Sequence, residues 1–137
     1  MTYEERKQWL ERYRVCIDRI EELREIQRAA RGNAEKVTPG SGGDIQQSGN
    51  DSKVERAIIT IRSAEREIEA LEDAASRFKR EIVQSISTLS PRLSGTATAH
   101  FIHGVSSKEI ASISSKTKRA IEKRIQKIIL YAKIPGA

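Results

Sequence analysis

The chain has 137 residues, of which 32% are charged, 37% are hydrophobic and only 4% are aromatic. This composition favours elongated, surface-rich helices over one thick globular core. One cysteine excludes a disulfide framework and a multi-cysteine metal site, and the lack of a long apolar stretch or signal-peptide segment predicts a cytoplasmic protein without a membrane span.

The formal charge of +6 is distributed unevenly along the chain. From Gly104 to the C-terminus there are eight basic and two acidic residues, whereas the first 103 residues hold equal numbers of each. All of the net positive charge therefore lies in the last quarter. Such asymmetry indicates a polyanionic partner for that segment.

Residues 1–31 are predicted to form an amphipathic helix. Apolar or small side chains recur at spacings of four and three, which is the pattern of a heptad seam, and the charges between them form a solvated face. The cysteine falls on this seam and is interpreted as a small core residue. The seam positions are Trp9, Tyr13, Cys16, Ile20, Leu23, Gln27 and Ala30.

Residues 32–51 interrupt the heptad pattern with five of the eight glycines and one proline. This composition predicts a flexible loop. The alternative is a phosphate-binding loop at the GSGG run, residues 40–43. No Lys-Ser/Thr pair follows that run and no strand precedes it, so the flexible loop is favoured.

Residues 52–89 are predicted to form a long helix of five uninterrupted heptads. Ser52 and Glu55 have the spacing of a capping box, which places the start of the helix at Asp51 or Ser52. Two long helices joined by a loop can fold back as an antiparallel hairpin, and a homodimer through the same seam fits the pattern equally well. The seam positions are Val54, Ala57, Ile61, Ala64, Ile68, Leu71, Ala75, Phe78, Ile82, Ser85 and Leu89.

Residues 90–134 are predicted to form a small C-terminal helix-turn-helix domain. Pro91 ends the long helix and starts a short one, which braces the motif that follows. Ser106 and Glu109 have capping-box spacing, so the next helix is expected to begin there and to end near Ile113. The expected fold class is all-α, a long antiparallel helical hairpin or coiled coil followed by this domain.

The second helix of the motif is predicted from near Ser115 to about Ala132, and it is amphipathic. Its apolar side is expected to pack through Ile121 on Ile110 and Ala111 of the preceding helix. Its opposite side is basic, so that it can neutralise phosphates and reach base edges in the major groove. A soluble surface or a membrane-surface helix is the alternative interpretation. The predicted DNA-binding residues are Lys116, Thr117, Lys118, Arg119, Lys123 and Lys127.

The run FIHGVSSKEIA, Phe101 to Ala111, resembles a run in small phage and prophage transcriptional regulators of the RinA/ArpU type, whose C-terminal segments look like region 4 of sigma factors. The layout of a charged helix, a glycine-rich loop, a heptad helix and the motif is also similar. The resemblance implies binding to double-stranded DNA and activation of phage late genes in a bacterial host cell, with contacts to RNA polymerase. The chain departs from the family at Ser114-Ser115, where a Leu-Gly pair is expected. A shorter turn than usual is therefore one alternative. Ile113 is expected to take the place of the apolar residue that is missing at Ser114.

Two other functions fit the same pattern. A phage small-terminase subunit, which recognises DNA for packaging, also combines a coiled coil with a helix-turn-helix, and a coiled-coil adaptor has no DNA contact. Catalysis finds little support, because the glutamates are interleaved with basic residues on helix surfaces. His100 and His103 are three residues apart, but no carboxylate or cysteine lies at ligand spacing near them. No catalytic residue, cofactor or metal site is therefore predicted.

Overall fold

The computed structural model describes residues 1–35 and 47–137, with the side chains of residues 1–34 and 52–137. These residues form helices α1 (Tyr3–Glu35), α2 (Gln47–Ile86), α3 (Pro91–Ala97), α4 (Ser107–Ser114) and α5 (Lys118–Tyr131), and a π-helical turn (Thr98–Ile102) follows α3. The described part of the chain contains no strand, which confirms the predicted all-α class. None of its helices has the length and apolar character needed to cross a membrane.

The two long helices have other bounds than the sequence pattern predicts, and α2 ends at Ile86, three residues before the predicted end at residue 89. Helix α1 continues to Glu35, and α2 begins at Gln47, so the predicted start of the second helix at Asp51 or Ser52 is wrong. A capping-box spacing marks a helix start only where the backbone before it is not helical, and Ser52 lies inside α2. The GSGG run considered as a phosphate-binding loop lies outside the described residues.

Helix α1 begins with a reciprocal capping box formed by Thr2 and Glu5, which was not among the sequence predictions. The backbone N–H of Glu5 donates to Thr2 Oγ1 at 3.1 Å, and the N–H of Thr2 donates to Glu5 Oε1 at 3.3 Å. Hydrogen bonds that the Glu5 carboxyl accepts from Thr2, led by the one from the Thr2 backbone N–H, lower the pKa of that carboxyl. A charged carboxylate at this position also interacts favourably with the helix dipole.

The chain divides into two compact units, and the division cuts both long helices. Unit 1 consists of Met1–Cys16 and Ala74–Ala137, and unit 2 consists of Ile17–Asp73. Helices α3, α4 and α5 therefore belong to the same compact unit as one end of α1 and one end of α2. The predicted boundary at residue 90 does not coincide with a boundary between these units.

Unit 2 is an antiparallel helix pair whose heptad seams pack against each other. The Nε of Arg19 contacts the carboxylate of Glu67 at 3.2 Å, and the side-chain amide of Gln27 donates to the Ile61 carbonyl at 3.1 Å. Of these two contacts, the one that lies later in α1 lies earlier in α2. The two helices therefore run in opposite directions, as in the predicted hairpin. The seam residues of unit 2 that form a buried cluster are Ile20, Leu23, Ala64 and Ile68.

Unit 1 has a larger core to which each of its helical segments except α4 contributes. At one edge of this core, the Arg12 guanidinium lies 4.3 Å from the ring centroid of Trp9 and 4.2 Å from that of Phe78. The same side chain pairs with the carboxylate of Glu81 at 2.7 Å, so it links α1 to α2 by both charge and ring contacts. The buried residues of this core are Leu10, Ile82, Ile86, Ala97, Phe101, Ile102, Ile128, Ile129, Ala132 and Ile134.

Arg6 connects the beginning of α1 to the end of α5. Its Nε donates to the Ile129 carbonyl at 2.6 Å, and its Nη2 donates to the carbonyls of Leu130 at 3.1 Å and Ala132 at 2.6 Å. The last carbonyls of a helix have no partner within the helix, and a cation there also interacts favourably with the helix dipole. The first turns of α1 thus satisfy and position the C-terminal end of α5.

The segment between α2 and α4 begins at the predicted residues. Ser90 Oγ accepts a hydrogen bond from the N–H of Leu93 at 3.4 Å, and Pro91 occupies the first helical position of α3. The hydroxyls of Thr96 and Thr98 donate to carbonyls four residues earlier, at 3.1 Å and 2.8 Å. Weak helix formers are therefore tolerated here, because the segment packs into the core of unit 1.

Candidate nucleic-acid interface

Helices α4 and α5 form the helix-turn-helix that the sequence predicts. Three residues, 115–117, connect them, which is an ordinary length for this motif. Ile110 and Ala111 of α4 pack on Ile121 of α5 in a buried cluster. The methyl side chain of Ala111 allows the close helix approach that the sequence analysis expected. The Ser114-Ser115 pair allowed a shorter turn as one alternative, and the turn between α4 and α5 is not shortened.

Each of these two helices begins at a side-chain cap. Ser106 Oγ accepts from the backbone N–H of Glu109 at 3.2 Å, which confirms the predicted start of α4. Thr117 Oγ1 accepts from the backbone N–H of Ala120 at 3.1 Å, so α5 begins at Lys118, three residues later than predicted. A threonine oxygen at this position satisfies an N–H that has no acceptor within the helix.

The apolar residue that was expected to pack near the turn does not do so. Ile113 was expected to substitute there, but its side chain is 81% exposed, so this prediction is wrong. Successive helical residues are about 100° apart, which places Ile113 about 200° around α4 from the buried Ala111. It therefore points away from α5. Val105, in front of α4, packs against the small core instead.

Ser115 adopts a backbone conformation that glycine adopts more easily. Its φ of 54° and ψ of 39° lie in the left-handed region, and the next N–H, of Lys116, donates to the Ala111 carbonyl at 2.9 Å. This geometry ends α4 and is the reason why related motifs commonly have glycine at this position.

Ser115→Gly is expected to stabilise the protein by about 0.5–1 kcal/mol. The left-handed conformation costs an L-residue about 1–2 kcal/mol, and the larger entropy of glycine in the unfolded chain offsets part of the gain. Urea or thermal unfolding of both proteins measures the difference. Ser114→Gly, one residue earlier and inside α4, is the matched control and should destabilise by about 0.5–1 kcal/mol. Equal effects of the two changes would contradict the assignment of strain to Ser115.

The side chains predicted to contact DNA are all exposed, while the opposite side of α5 is buried. Ile121, Ile128 and Ala132 are on the buried side. Four of the predicted residues project from α5 and two lie in the turn before it. The Lys118 ammonium is 3.8 Å from the Glu122 carboxylate, a surface pair that contributes little. The predicted and exposed residues are Lys116, Thr117, Lys118, Arg119, Lys123 and Lys127.

The division into units makes the charge asymmetry sharper than it is along the sequence. Unit 1 holds sixteen of the 25 basic and six of the 19 acidic residues, a formal charge of +10. Unit 2 holds the remaining nine basic and thirteen acidic residues, a formal charge of −4. The basic residues that α2, α3, α4 and the C-terminus add to the exposed surface of unit 1 are Arg77, Lys79, Arg80, Arg92, Lys108 and Lys133. The sequence count missed four of these, because acidic residues of unit 2 cancel them in any tally of residues 1–103.

The loop before α4 is held against α1 by a close approach at Gly104. This glycine has a φ of 70°, and a Cβ at its position would lie 2.7 Å from the guanidinium Cζ of Arg14. The Nη1 of Arg14 donates to the Ile102 carbonyl at 3.4 Å, and the N–H of Val105 donates to the Ala99 carbonyl at 2.9 Å. The positive φ favours glycine at residue 104, and a Cβ there would displace the end of the Arg14 side chain.

Gly104→Ala is expected to destabilise the protein by about 1–2 kcal/mol from the positive φ alone. The new methyl group also displaces the Arg14 guanidinium, which adds to that loss. Chemical or thermal denaturation measures the change. Gly95→Ala is the matched control, since nothing lies within 4 Å of a Cβ built there and the residue is inside α3. Alanine should stabilise that helix by about 0.5–1 kcal/mol. A neutral Gly104→Ala would show that the loop is not held in this way.

The histidines and the cysteine have ordinary structural surroundings. His100 Nδ1 lies 2.9 Å from the Val105 carbonyl oxygen, and His103 is exposed. Cys16 is buried, as expected for a small core residue. Among the described side chains, those of residues 1–34 and 52–137, no three or more His, Cys, Asp or Glu are grouped so as to hold a metal ion.

The predicted resemblance to RinA/ArpU-type regulators rests on the run from Phe101 to Ala111 and on the order of the helices. In the structure this run covers the π-helical turn, the loop at Gly104 and the first half of α4. Comparison with known proteins adds no relative: no protein-family model, no curated protein and no solved structure matches the chain.

Proposed function

We propose that the protein binds double-stranded DNA through α5 and acts as a transcriptional regulator. The observation that carries the proposal is the exposed basic face of α5, presented by a helix-turn-helix within a unit of formal charge +10. In this motif the second helix lies in the major groove while the first crosses the backbone. The buried side of α5 fixes which residues remain available to the groove.

The exposed residues have different expected roles. Arg119 and Lys123 are four residues apart on the outward side of α5, where long cationic side chains can reach guanine O6 and N7. Lys116 and Thr117, in the turn before α5, suit phosphate contacts at the N-terminal end of the helix. Lys127 lies one turn beyond Lys123 and suits a phosphate on the other side of the groove.

The regulatory part of the proposal is supported by the run FIHGVSSKEIA and by the order of the helices. Both resemble phage regulators of the RinA/ArpU type, in which activation of late genes and contact with RNA polymerase are implied. In this proposal α4 and α5 bind the promoter, and the exposed surface of the remaining helices is available to polymerase. Transcription from a candidate late promoter with purified polymerase tests this part separately from DNA binding.

Fluorescence anisotropy of a labelled duplex, titrated over a series of salt concentrations, tests the DNA-binding part. Each phosphate that a cation neutralises contributes about −0.9 to the slope of log K against log salt. Four or five contacts from α5 and its turn therefore predict a slope of about −4. If neither promoter DNA nor random duplex binds at low salt, the proposal fails, and an adaptor without DNA contact is favoured. A ring-sized assembly on mass measurement would favour the packaging subunit.

A further inference from the structure

The exposed side of α5 carries a single amide side chain, that of Gln126, among its basic residues. An amide has two N–H donors and a carbonyl acceptor, whereas lysine and arginine side chains only donate. The amide of Gln27 on α1 is already used within the protein, because it donates to the Ile61 carbonyl. The amide of Gln126 makes no hydrogen bond within the described part of the chain. Its donors and its acceptor are therefore available to a ligand.

Gln126 continues the row of side chains that begins with Arg119. It follows Arg119 by seven residues, which is within about 20° of two whole turns of an α-helix. Lys123 lies between them, four residues after Arg119 and three before Gln126. The buried Ile121 is five residues before Gln126 and is therefore about 140° away around the helix. Arg119, Lys123 and Gln126 thus project from the side of α5 that faces away from the core.

The only acidic residue of α5 does not occupy the amide of Gln126. Glu122 stands four residues before Gln126, a spacing at which two helical side chains can interact. Its carboxylate is instead 3.8 Å from the Lys118 ammonium, one turn earlier. The amide therefore remains free beside this ion pair.

The three side chains of the row fit different bases in the major groove. From Arg119 to Gln126 the rise along α5 is about 10.5 Å, which is about three base-pair steps of 3.4 Å. Guanine presents two acceptors, O6 and N7, which match the donors of Arg119 and Lys123. Adenine presents the N7 acceptor beside the N6 amino donor, and one amide matches both with two hydrogen bonds. Gln126 is the member of the row that fits adenine.

We propose that Gln126 reads an adenine in the major groove and so determines part of the sequence preference of the protein. The inference rests on the proposed binding of DNA through α5. It adds an A·T pair to the site, next to the G·C pairs that Arg119 and Lys123 contact and towards the C-terminal end of α5. Phosphate contacts such as that proposed for Lys127 position the helix but do not distinguish bases.

Selection of bound duplexes from a pool with a randomised central region tests the inference on the full chain. Gln126→Ala is expected to lose discrimination at one base pair by about 5- to 100-fold and to keep the preference at its neighbours. Gln126→Arg should replace adenine by guanine at that same position, because arginine matches O6 and N7. A change of preference from one base to another does not result from partial unfolding, which weakens the binding of all sequences alike.

An adenine analogue in which carbon replaces N7 tests the contact at the level of one atom, since the analogue still pairs with thymine. At the selected position it should weaken binding of the wild-type chain by several-fold and leave that of Gln126→Ala unchanged. Gln84→Ala removes an exposed amide from α2 in unit 1 and is the matched control. It should keep both the sequence preference and the response to the analogue.

The outcomes separate this inference from the proposed DNA binding. An unchanged preference in both Gln126→Ala and Gln126→Arg overturns the role of Gln126 and leaves DNA binding by α5 intact. Binding of the wild-type chain to random duplex with no preferred sequence has the same consequence. If no duplex binds at low salt, the role of Gln126 and the proposed function fail together.

Discussion

A fragment of residues 90–137 is expected to be largely unfolded on its own, although it contains all of α3, α4 and α5. The buried Phe101, Ile128 and Ile129 of these helices belong to a core that Leu10 and Ile82 complete from α1 and α2. Emptying a fully buried Leu or Ile position costs about 2–5 kcal/mol, and the fragment lacks several of them. Fewer than fifty residues rarely form a core that tolerates such a loss.

Circular dichroism measures this prediction as low helix content and a thermal transition without cooperativity. The matched control joins Met1–Cys16 to Ala74–Ala137 through a short glycine-rich loop and so retains the whole of unit 1. This control should melt cooperatively, because it keeps both the core and the Arg6 contacts to the last carbonyls of α5. A cooperative transition of the fragment alone would instead support an autonomous domain that begins at residue 90.

Features that depend on periodicity or on near neighbours in the chain could be predicted from the sequence. The heptad pattern identified the buried faces of α1 and α2. A helix buries its apolar side whether the helix that packs on it belongs to the same chain or to another chain. The cap at Ser106 was also predicted, since it uses a hydrogen bond to a residue three positions later, and so was Pro91 at the first position of α3. For the same reason the exposed and buried sides of α5 follow from spacing alone.

Features that depend on distant contacts could not be predicted. Arg6 donates to carbonyls more than 120 residues away, and nothing in its local sequence distinguishes it from the other arginines of α1. The side chain that closely approaches Gly104 is that of Arg14, 90 residues earlier. Composition alone gave none of these contacts.

The charge of each unit is a further property that a linear count obscures. Arg77 and Arg80 appeared neutralised when residues 1–103 were counted together, yet the acidic residues that balance them belong mostly to unit 2. The fold therefore assigns more positive charge to the unit that contains α5 than the last quarter of the sequence does. The proposed polyanionic partner is therefore expected to interact with the positive charge of unit 1 beyond α5 as well.

Arg119→Ala combined with Lys123→Ala is expected to weaken binding to duplex DNA by about 10- to 100-fold at low salt, if α5 lies in the major groove as proposed. A good contact from such a side chain to a base edge contributes about 1–3 kcal/mol, and a phosphate contact adds to the salt dependence. The salt slope should fall in magnitude by up to about 2, or about 1 for each side chain that contacts phosphate. Both side chains are exposed, so the fold should be unaffected.

The control for this double change is Arg62→Ala with Arg66→Ala, two exposed cations of unit 2 with the same four-residue spacing on α2. The control removes the same formal charge but leaves α5 intact, so it should change affinity by less than about twofold, as expected for charges that do not contact the DNA. Lys127→Ala distinguishes backbone from base contact, because loss of a phosphate contact weakens all duplexes uniformly. Loss of the Arg119 contact should in addition reduce the preference for one sequence over another. Equal weakening by the α5 and α2 variants would mean that net charge, rather than the face of α5, determines binding.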